Sequence, residues 1–359
     1  MADQNTWTIK STLDWCEGYL RRKGDGNPLL SAQWLMSEAT GLSRIQLYAN
    51  FDRPLTMEER DLLRGYVARR GKGEPLQYIT GEVGFRYITV KVRPGVLIPR
   101  PETEVLVSEA LALLPPQERR VARDSLLNEY DGAALLEALA DGQASATDGG
   151  AAADAPAKQG EGNAVGETAA PAEHTLPEES APVPLLVADI CTGSGCIACS
   201  MAQERPDVRV IATDISPEAV ALARENVAAL GLEDRVLVAP GDLGQAVVQA
   251  APQLMGRLDV VVSNPPYVPT AVLAQIPREV ADYEPALALD GGEDGLDLFR
   301  RLLGFCQRAL RPGGGFAFEL HETCLDDAAD LARSAGFSNV RVVLDLARRP
   351  RVLTGVWPG

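Results

Sequence analysis

Residues 185–202 read LLVADICTGSGCIACSMA. Leu185 to Ile190 is a short apolar run of the kind that forms a strand buried on both faces. Gly193 and Gly195 then turn the chain into an apolar helical stretch. Glycines at such a turn let the backbone come close to a ligand, and the helix start offers free N–H groups. The spacing is not GxGxxG, which argues against a dinucleotide and for another nucleoside-bearing cofactor.

Working outward from this unit, further strands are expected at 208–213 (VRVIAT), 235–239 (RVLVA), 258–263 (LDVVVS), 315–320 (GFAFEL), 339–344 and 351–357. Helical stretches fill most gaps, so the chain reads as an α/β protein with a doubly wound sheet. Open sheets of this kind bind ligands at the carboxyl ends of their strands. The first end carries Asp189 and the turn residues Cys191, Thr192, Gly193, Ser194 and Gly195. The second carries Asp214 and Ile215, and the third Asp242 and Leu243. An acid at the second end can accept both hydroxyls of a ribose. Asp242 is placed to accept from an adenine amino group. Any one of these acids alone could be a plain helix cap.

The fourth strand end is VVSNPPYV (261–268), where a β run stops at Asn264-Pro265-Pro266-Tyr267. Two prolines remove two backbone donors and fix two φ angles, and each pushes its predecessor into extended geometry. Asn264 is therefore presented in a stiff loop rich in acceptors and poor in donors, which suits an NH2 group. A bare strand-ending Pro-Pro turn is the alternative. The succession of glycine turn, acid, acid and NPPY along four strand ends favours a site.

The chain has 359 residues, 46% hydrophobic and 23% charged, with a formal net charge of −16. No apolar run approaches the roughly twenty residues that span a membrane. The start, MADQNTWTIKST, lacks the basic end and apolar core of a signal peptide, so a cytoplasmic location is expected. The acidic balance argues against sequence-specific grip on nucleic acid, which relies on clustered Lys and Arg. That argument is weakened by residues 141–184, whose eight acids and single lysine, Lys158, supply seven of the sixteen negative units. Cys196 and Cys199 form a CxxC with no second pair near it and read as small core residues. His321 in HETC does not make the zinc-protease motif HExxH, and His174 falls in low-complexity sequence.

Residues 1–75 read as a helical bundle. Leu13, Cys16 and Leu20 share a face, as do Leu30, Trp34 and Ala39, and Thr56 with Glu59 marks a capping box. Residues 76–100 are expected to form a β-hairpin linker around the Arg93-Pro94-Gly95 turn. PETEVLVSEALALL (101–114) then reads as a helix with Pro101 at its first position. Residues 115–184 are expected to be a largely disordered, acidic, Ala/Gly/Pro-rich insertion, since they lack the apolar surface to offset ordering entropy.

The four strand ends together resemble class I S-adenosylmethionine-dependent methyltransferases with their Rossmann-like sheet, in which NPPY is the mark of methylation at a planar NH2 nitrogen. EPLQYITGEVGF (74–85), VLIPRPETEVLV (96–107), DICTGSGCIA, SNPPYV and DYEPALALDGGEDGL (282–296) are similar to the release-factor-modifying protein-glutamine methyltransferases. The likeness covers nearly the whole chain outside the insertion. It implies S-adenosyl-L-methionine as cofactor and the glutamine of the Gly-Gly-Gln motif of class-1 peptide-chain release factors as substrate. It further implies that Asn264, Pro265, Pro266 and Tyr267 hold the amide, and that residues 185–359 with 101–114 form the methyltransferase domain. Residues 1–75 would then dock the substrate protein, and Glu102 and Arg100 either line the glutamine entrance or brace the junction. Cys191 replaces the first glycine of the usual DxGxGxG, and Leu243 stands where an aromatic often stacks on adenine. Three other readings stay open: a sister branch that modifies a ribosomal-protein glutamine, an adenine-N6 nucleic-acid methyltransferase, and a non-catalytic cofactor-binding docking protein.

Overall fold

A computed structural model describes residues 7–116 and 183–359. The insertion expected over 115–184 and His174 lie almost wholly outside the described residues.

The amino-terminal part is five helices: α1 (Ile9–Arg22), α2 (Pro28–Thr40), α3 (Arg44–Ala49), α4 (Met57–Arg70) and α5 (Leu76–Thr80). Thr8, Ser43 and Thr56 each cap a helix with reciprocal side-chain and backbone bonds, which satisfies amides that have no partner within the helix. Leu13, Cys16 and Leu20 pack against Leu35, Met36, Leu63, Val67 and Ile79. The face of α2 differs from the expected one. Ala32, Leu35, Met36 and Ala39 are buried, Leu30 is half-buried, and Trp34 stands in solvent with the Arg44 guanidinium over its ring. The cation over the ring gives Trp34 a partner outside the core.

The hairpin pairs β1 (Glu82–Phe85) with β2 (Ile88–Lys91), and its turn is Arg86-Tyr87, not Arg93-Pro94-Gly95. Arg86 takes the left-handed φ of 51° that such a two-residue turn demands. Its guanidinium is locked by Glu204 at 2.5 and 2.7 Å, which offsets the absence of glycine. The next helix, α6 (Thr103–Leu113), begins two residues after Pro101.

The rest is a seven-stranded sheet with helices between its strands. β3 (Leu185–Ile190) leads through α7 (Cys196–Glu204) to β4 (Val208–Asp214), then α8 (Pro217–Ala229) and β5 (Val236–Pro240). α9 (Gln245–Ala250) precedes β6 (Leu258–Ser263), and α10 (Arg278–Ala281) and α11 (Asp297–Ala309) precede β7 (Leu310–Glu319). α12 (Leu325–Ser334), β8 (Ser338–Leu344) and β9 (Pro350–Val356) complete the chain. The strand order is β5-β4-β3-β6-β7-β9-β8, with β9 antiparallel to both neighbours and the other pairs parallel. All six residues of β6 are buried, so helices cover both faces and the strand needs no alternation. Cys196 and Cys199 pack in this core, as their spacing on an apolar helix suggests. Strand order reverses between β3 and β6, and a reversal opens a crevice at the carboxyl ends. No described helix is long and apolar enough to cross a membrane.

Candidate active site

A cavity of 320 Å³ opens at that reversal, walled by the turn after β3, the ends of β4, β5 and β6, and the segments 95–103 and 285–288. Of the predicted residues, Cys191, Thr192, Gly193, Ser194, Asp214, Ile215, Asp242, Leu243, Asn264 and Pro266 line it. Asp189, Gly195, Pro265 and Tyr267 do not.

The glycine turn is built for close approach. Cys191, Gly193 and Gly195 have φ of 60°, 57° and 80°, so the position where the usual pattern has its first glycine is left-handed here too. Cys191 bears that conformation with a side chain, at the modest cost such a backbone carries. At Gly195 a β-carbon would come within 3.2 Å of Ala223, so this glycine serves the packing of α7 on α8. Asp189 lies fully buried beneath the turn, where its Oδ2 accepts from Thr192 Oγ1 at 2.5 Å and Ala198 N at 3.1 Å. Its Oδ1 receives no hydrogen bond. Burial pushes its pKa up to about 7, against the pull of those two donors. Asp189 therefore shapes the turn from below and does not reach the cavity.

Asp214 accepts from Gly193 N at 2.9 Å and Ser216 N at 3.0 Å, which ties the ends of β3 and β4 together. Each carboxylate oxygen has two lone-pair sites, so both still have one for a ligand hydroxyl. Asp242 also lines the cavity but is ion-paired with Arg301, 59 residues further on, at 2.5 Å. Thr213 Oγ1 donates to the Leu243 carbonyl at 2.9 Å and fixes this loop against β4. Ile215 and Leu243 offer two aliphatic walls. A diol acceptor, a second acid, aliphatic walls and a turn that lets the backbone come close fit a nucleoside-bearing cofactor.

Asn264 reaches the cavity from the end of β6. Its Nδ2 donates to Thr103 Oγ1 at 3.2 Å, and Thr103 Oγ1 donates to Glu319 Oε2 at 2.7 Å. The Tyr267 hydroxyl donates to Glu319 Oε1 at 2.9 Å, and its ring leans toward His321. Burial pushes the Tyr267 phenol up, with the Glu319 carboxylate adding to the shift. Pro265 is buried while Pro266 lines the wall. Arg100 also lines the wall, braced by the buried Glu284 at 2.5 Å, and Glu102 pairs with Arg349. Sequence reasoning missed Thr103 and Glu319. The signal for Glu319 was present, since it is a lone acid ending an apolar strand, as Asp189 and Asp214 are.

The sheet order, the crevice at the strand ends and the amide at its rim, with the family match given next, make this an S-adenosylmethionine-dependent methyltransferase. Residues 174–279 match the model of the methyltransferase small domain, and residues 11–81 that of the PrmC N-terminal domain. The chain is 36% identical to the release factor glutamine methyltransferase of Geobacter sulfurreducens, over 97% of its own length and 96% of the relative's. It is 34% identical to that of Moorella thermoacetica, over 96% of each. A solved methyltransferase from Pyrococcus furiosus is 21% identical, with a TM-score of 0.36 over 48% of this chain and 75% of that one. The chain belongs to the release factor glutamine methyltransferase family.

Proposed function

We infer that this protein transfers a methyl group from S-adenosylmethionine to the side-chain amide nitrogen of the glutamine in the Gly-Gly-Gln motif of a class-1 peptide-chain release factor. The observation that carries this reading is Asn264, whose amide NH2 is turned onto Thr103 so that its oxygen is left for a ligand in the cavity.

A carboxamide nitrogen is a poor nucleophile because its lone pair is delocalised into the carbonyl. The cofactor, when bound, supplies a methyl already activated on a sulfonium. The chain's task is alignment. Asn264 Oδ1 accepts one N–H of the substrate amide, and the prolines present carbonyls with no competing donor. An acceptor at this place also stabilises positive charge as it develops on nitrogen. Positioning of this kind is worth several kcal/mol, within a ceiling of about 7–11. Among the described residues neither His321 nor any lysine lines the cavity, and in this reading the proton leaves after transfer.

In this reading Asp214 takes the ribose hydroxyls, Asp242 the adenine amino group, and the turn from Cys191 to Gly195 the methionine end. Residues 1–75 dock the protein substrate, on a surface where Trp15, Trp34, Ile45 and Tyr48 are exposed. A translation substrate fits a cytoplasmic location. The adenine-N6 alternative finds little support, since the two cationic residues of the wall, Arg100 and Arg301, are both ion-paired.

The test is mass spectrometry of a purified release factor after incubation with this protein and S-adenosylmethionine. One methyl on the Gly-Gly-Gln glutamine is expected. Methylation of a ribosomal-protein glutamine instead would move the substrate to the sister branch. Transfer to neither would sink the reading.

A further inference from the structure

An asparagine side chain has two orientations of similar shape, and they present opposite chemistry. In one the oxygen faces a ligand and can accept its N–H. In the other the NH2 faces it and repels an amide's donors. Something must choose between them, and the hydrogen-bond network behind Asn264 makes the choice.

Glu319 ends β7 with 1% of its surface exposed and does not line the cavity. Its two oxygens are both occupied, by Thr103 Oγ1 at 2.7 Å and Tyr267 OH at 2.9 Å. Burial raises its pKa, while these two donors and the nearby Arg351 guanidinium favour the charged form. Both of its oxygens accept, and the one on the Thr103 side takes that residue's single hydroxyl proton. The Thr103 oxygen then has only lone pairs left for its other neighbour. Asn264, 3.2 Å away, must turn its NH2 toward it, and its oxygen toward the cavity follows.

We propose that Thr103 and Glu319 are positioning residues that set the polarity of Asn264, and so fit the site to a ligand that donates N–H, here a side-chain amide. The polarity runs one way, from a carboxyl whose two oxygens both accept, through one hydroxyl, to the amide. Tyr267 hangs from the same anchor, so both ends of the Asn264–Tyr267 loop are held by one buried carboxylate. The inference deepens the amide-methyltransferase reading and rests on it.

The experiment compares Thr103→Val, which keeps the shape and loses the hydroxyl, with Thr103→Ser, which keeps the hydroxyl and loses a methyl. Single-turnover transfer is measured on the intact release factor at saturating S-adenosylmethionine, with cofactor affinity from calorimetry and folding from thermal melts. The rate for Thr103→Val is expected to fall roughly 10–100-fold, the scale of a misaligned reacting group. Thr103→Ser is expected to stay within about threefold of wild type, and cofactor affinity within about twofold in both, because only the clamp is disturbed. Equal rates for the two variants, whether both normal or both impaired, would overturn the proposal. So would a loss in Thr103→Val that cofactor affinity accounts for. Should Thr103→Val not fold, Thr103→Ala, which also lacks the proton, is judged against Thr103→Ser on the same readouts. Absence of transfer by the wild-type protein would be a failure of the amide reading itself. Transfer by wild type with no difference between the variants would be a failure of this inference alone.

Discussion

Asp214 and Asn264 line one cavity, yet they are held there in different ways. Asp214 ends β4 and is fixed by Ser216, two residues on, and Gly193, on the neighbouring strand's turn. Asn264 follows the last residue of β6 and is fixed by Thr103, 161 residues earlier, which in turn depends on Glu319, 216 residues later than Thr103. The cofactor half is thus assembled from strand ends and the turns that follow them. The clamp half exists only once α6, β6 and β7 have come together. A site divided in this way can lose either half separately, so each half is open to its own test.

The sharpest break is expected from Asn264→Ala. Removing a preorganised polar group aimed at developing charge costs about 10²–10³-fold in rate. Transfer should fall by that much at saturating cofactor, while calorimetric affinity for S-adenosylmethionine stays within a few-fold. If affinity fell in parallel with rate, the two halves would be one unit and the contrast would fail.

The same contrast explains what could be read without coordinates. Strand ends at 190, 214, 240 and 263 fall within a residue of those expected, because buried parallel strands are written as local apolar runs. The glycine turn and its acids were legible for the same reason. The hairpin turn was misplaced because Arg86 takes a conformation that a Pro-Gly pair advertises, and takes it on the strength of a salt bridge to Glu204, far along the chain. Periodicity puts Trp34 on one face with Leu30 and Ala39, but Ala39 is buried while Trp34 is exposed with Arg44 over its ring. Asp189 was grouped with the cofactor contacts because every acid at a strand end looks alike in sequence. Only burial separates it from Asp214. Thr103 was invisible because its role is a hydrogen bond closed by tertiary structure.

Asp189 allows that distinction to be measured through pH. Its folded pKa, about 7, lies above the ordinary carboxylate value of about 3.9 for an unfolded chain. The folded state therefore binds this proton more tightly than the unfolded state does. The stabilising contribution is complete below about pH 4, shrinks as pH rises, and is gone above about pH 7. Asp189→Asn keeps an oxygen for Thr192 and Ala198 and has no proton to lose. Guanidinium titrations of both proteins should show the variant gaining on wild type by up to a few kcal/mol between about pH 5 and pH 8. A constant difference across that range would mean that Asp189 keeps one charge state throughout and that burial does not set its protonation.

The smallest expected effect tests the cofactor half from its own side. Asp214→Ala removes an ionised acceptor, and hydrogen bonds to charged groups contribute about 1.5–3 kcal/mol. Cofactor affinity should weaken roughly 10–150-fold, with the amides of Gly193 and Ser216 left to water. The transfer rate at saturating cofactor should change by less than about threefold, because nothing that orients Asn264 runs through Asp214. The outcome to look for is opposite to that of Asn264→Ala: affinity lost with rate kept, against rate lost with affinity kept. A rate loss that saturating cofactor does not restore would mean that the turn after β3 also carries the alignment of the amide. The clamp could then no longer be assigned to Thr103 and Glu319 alone.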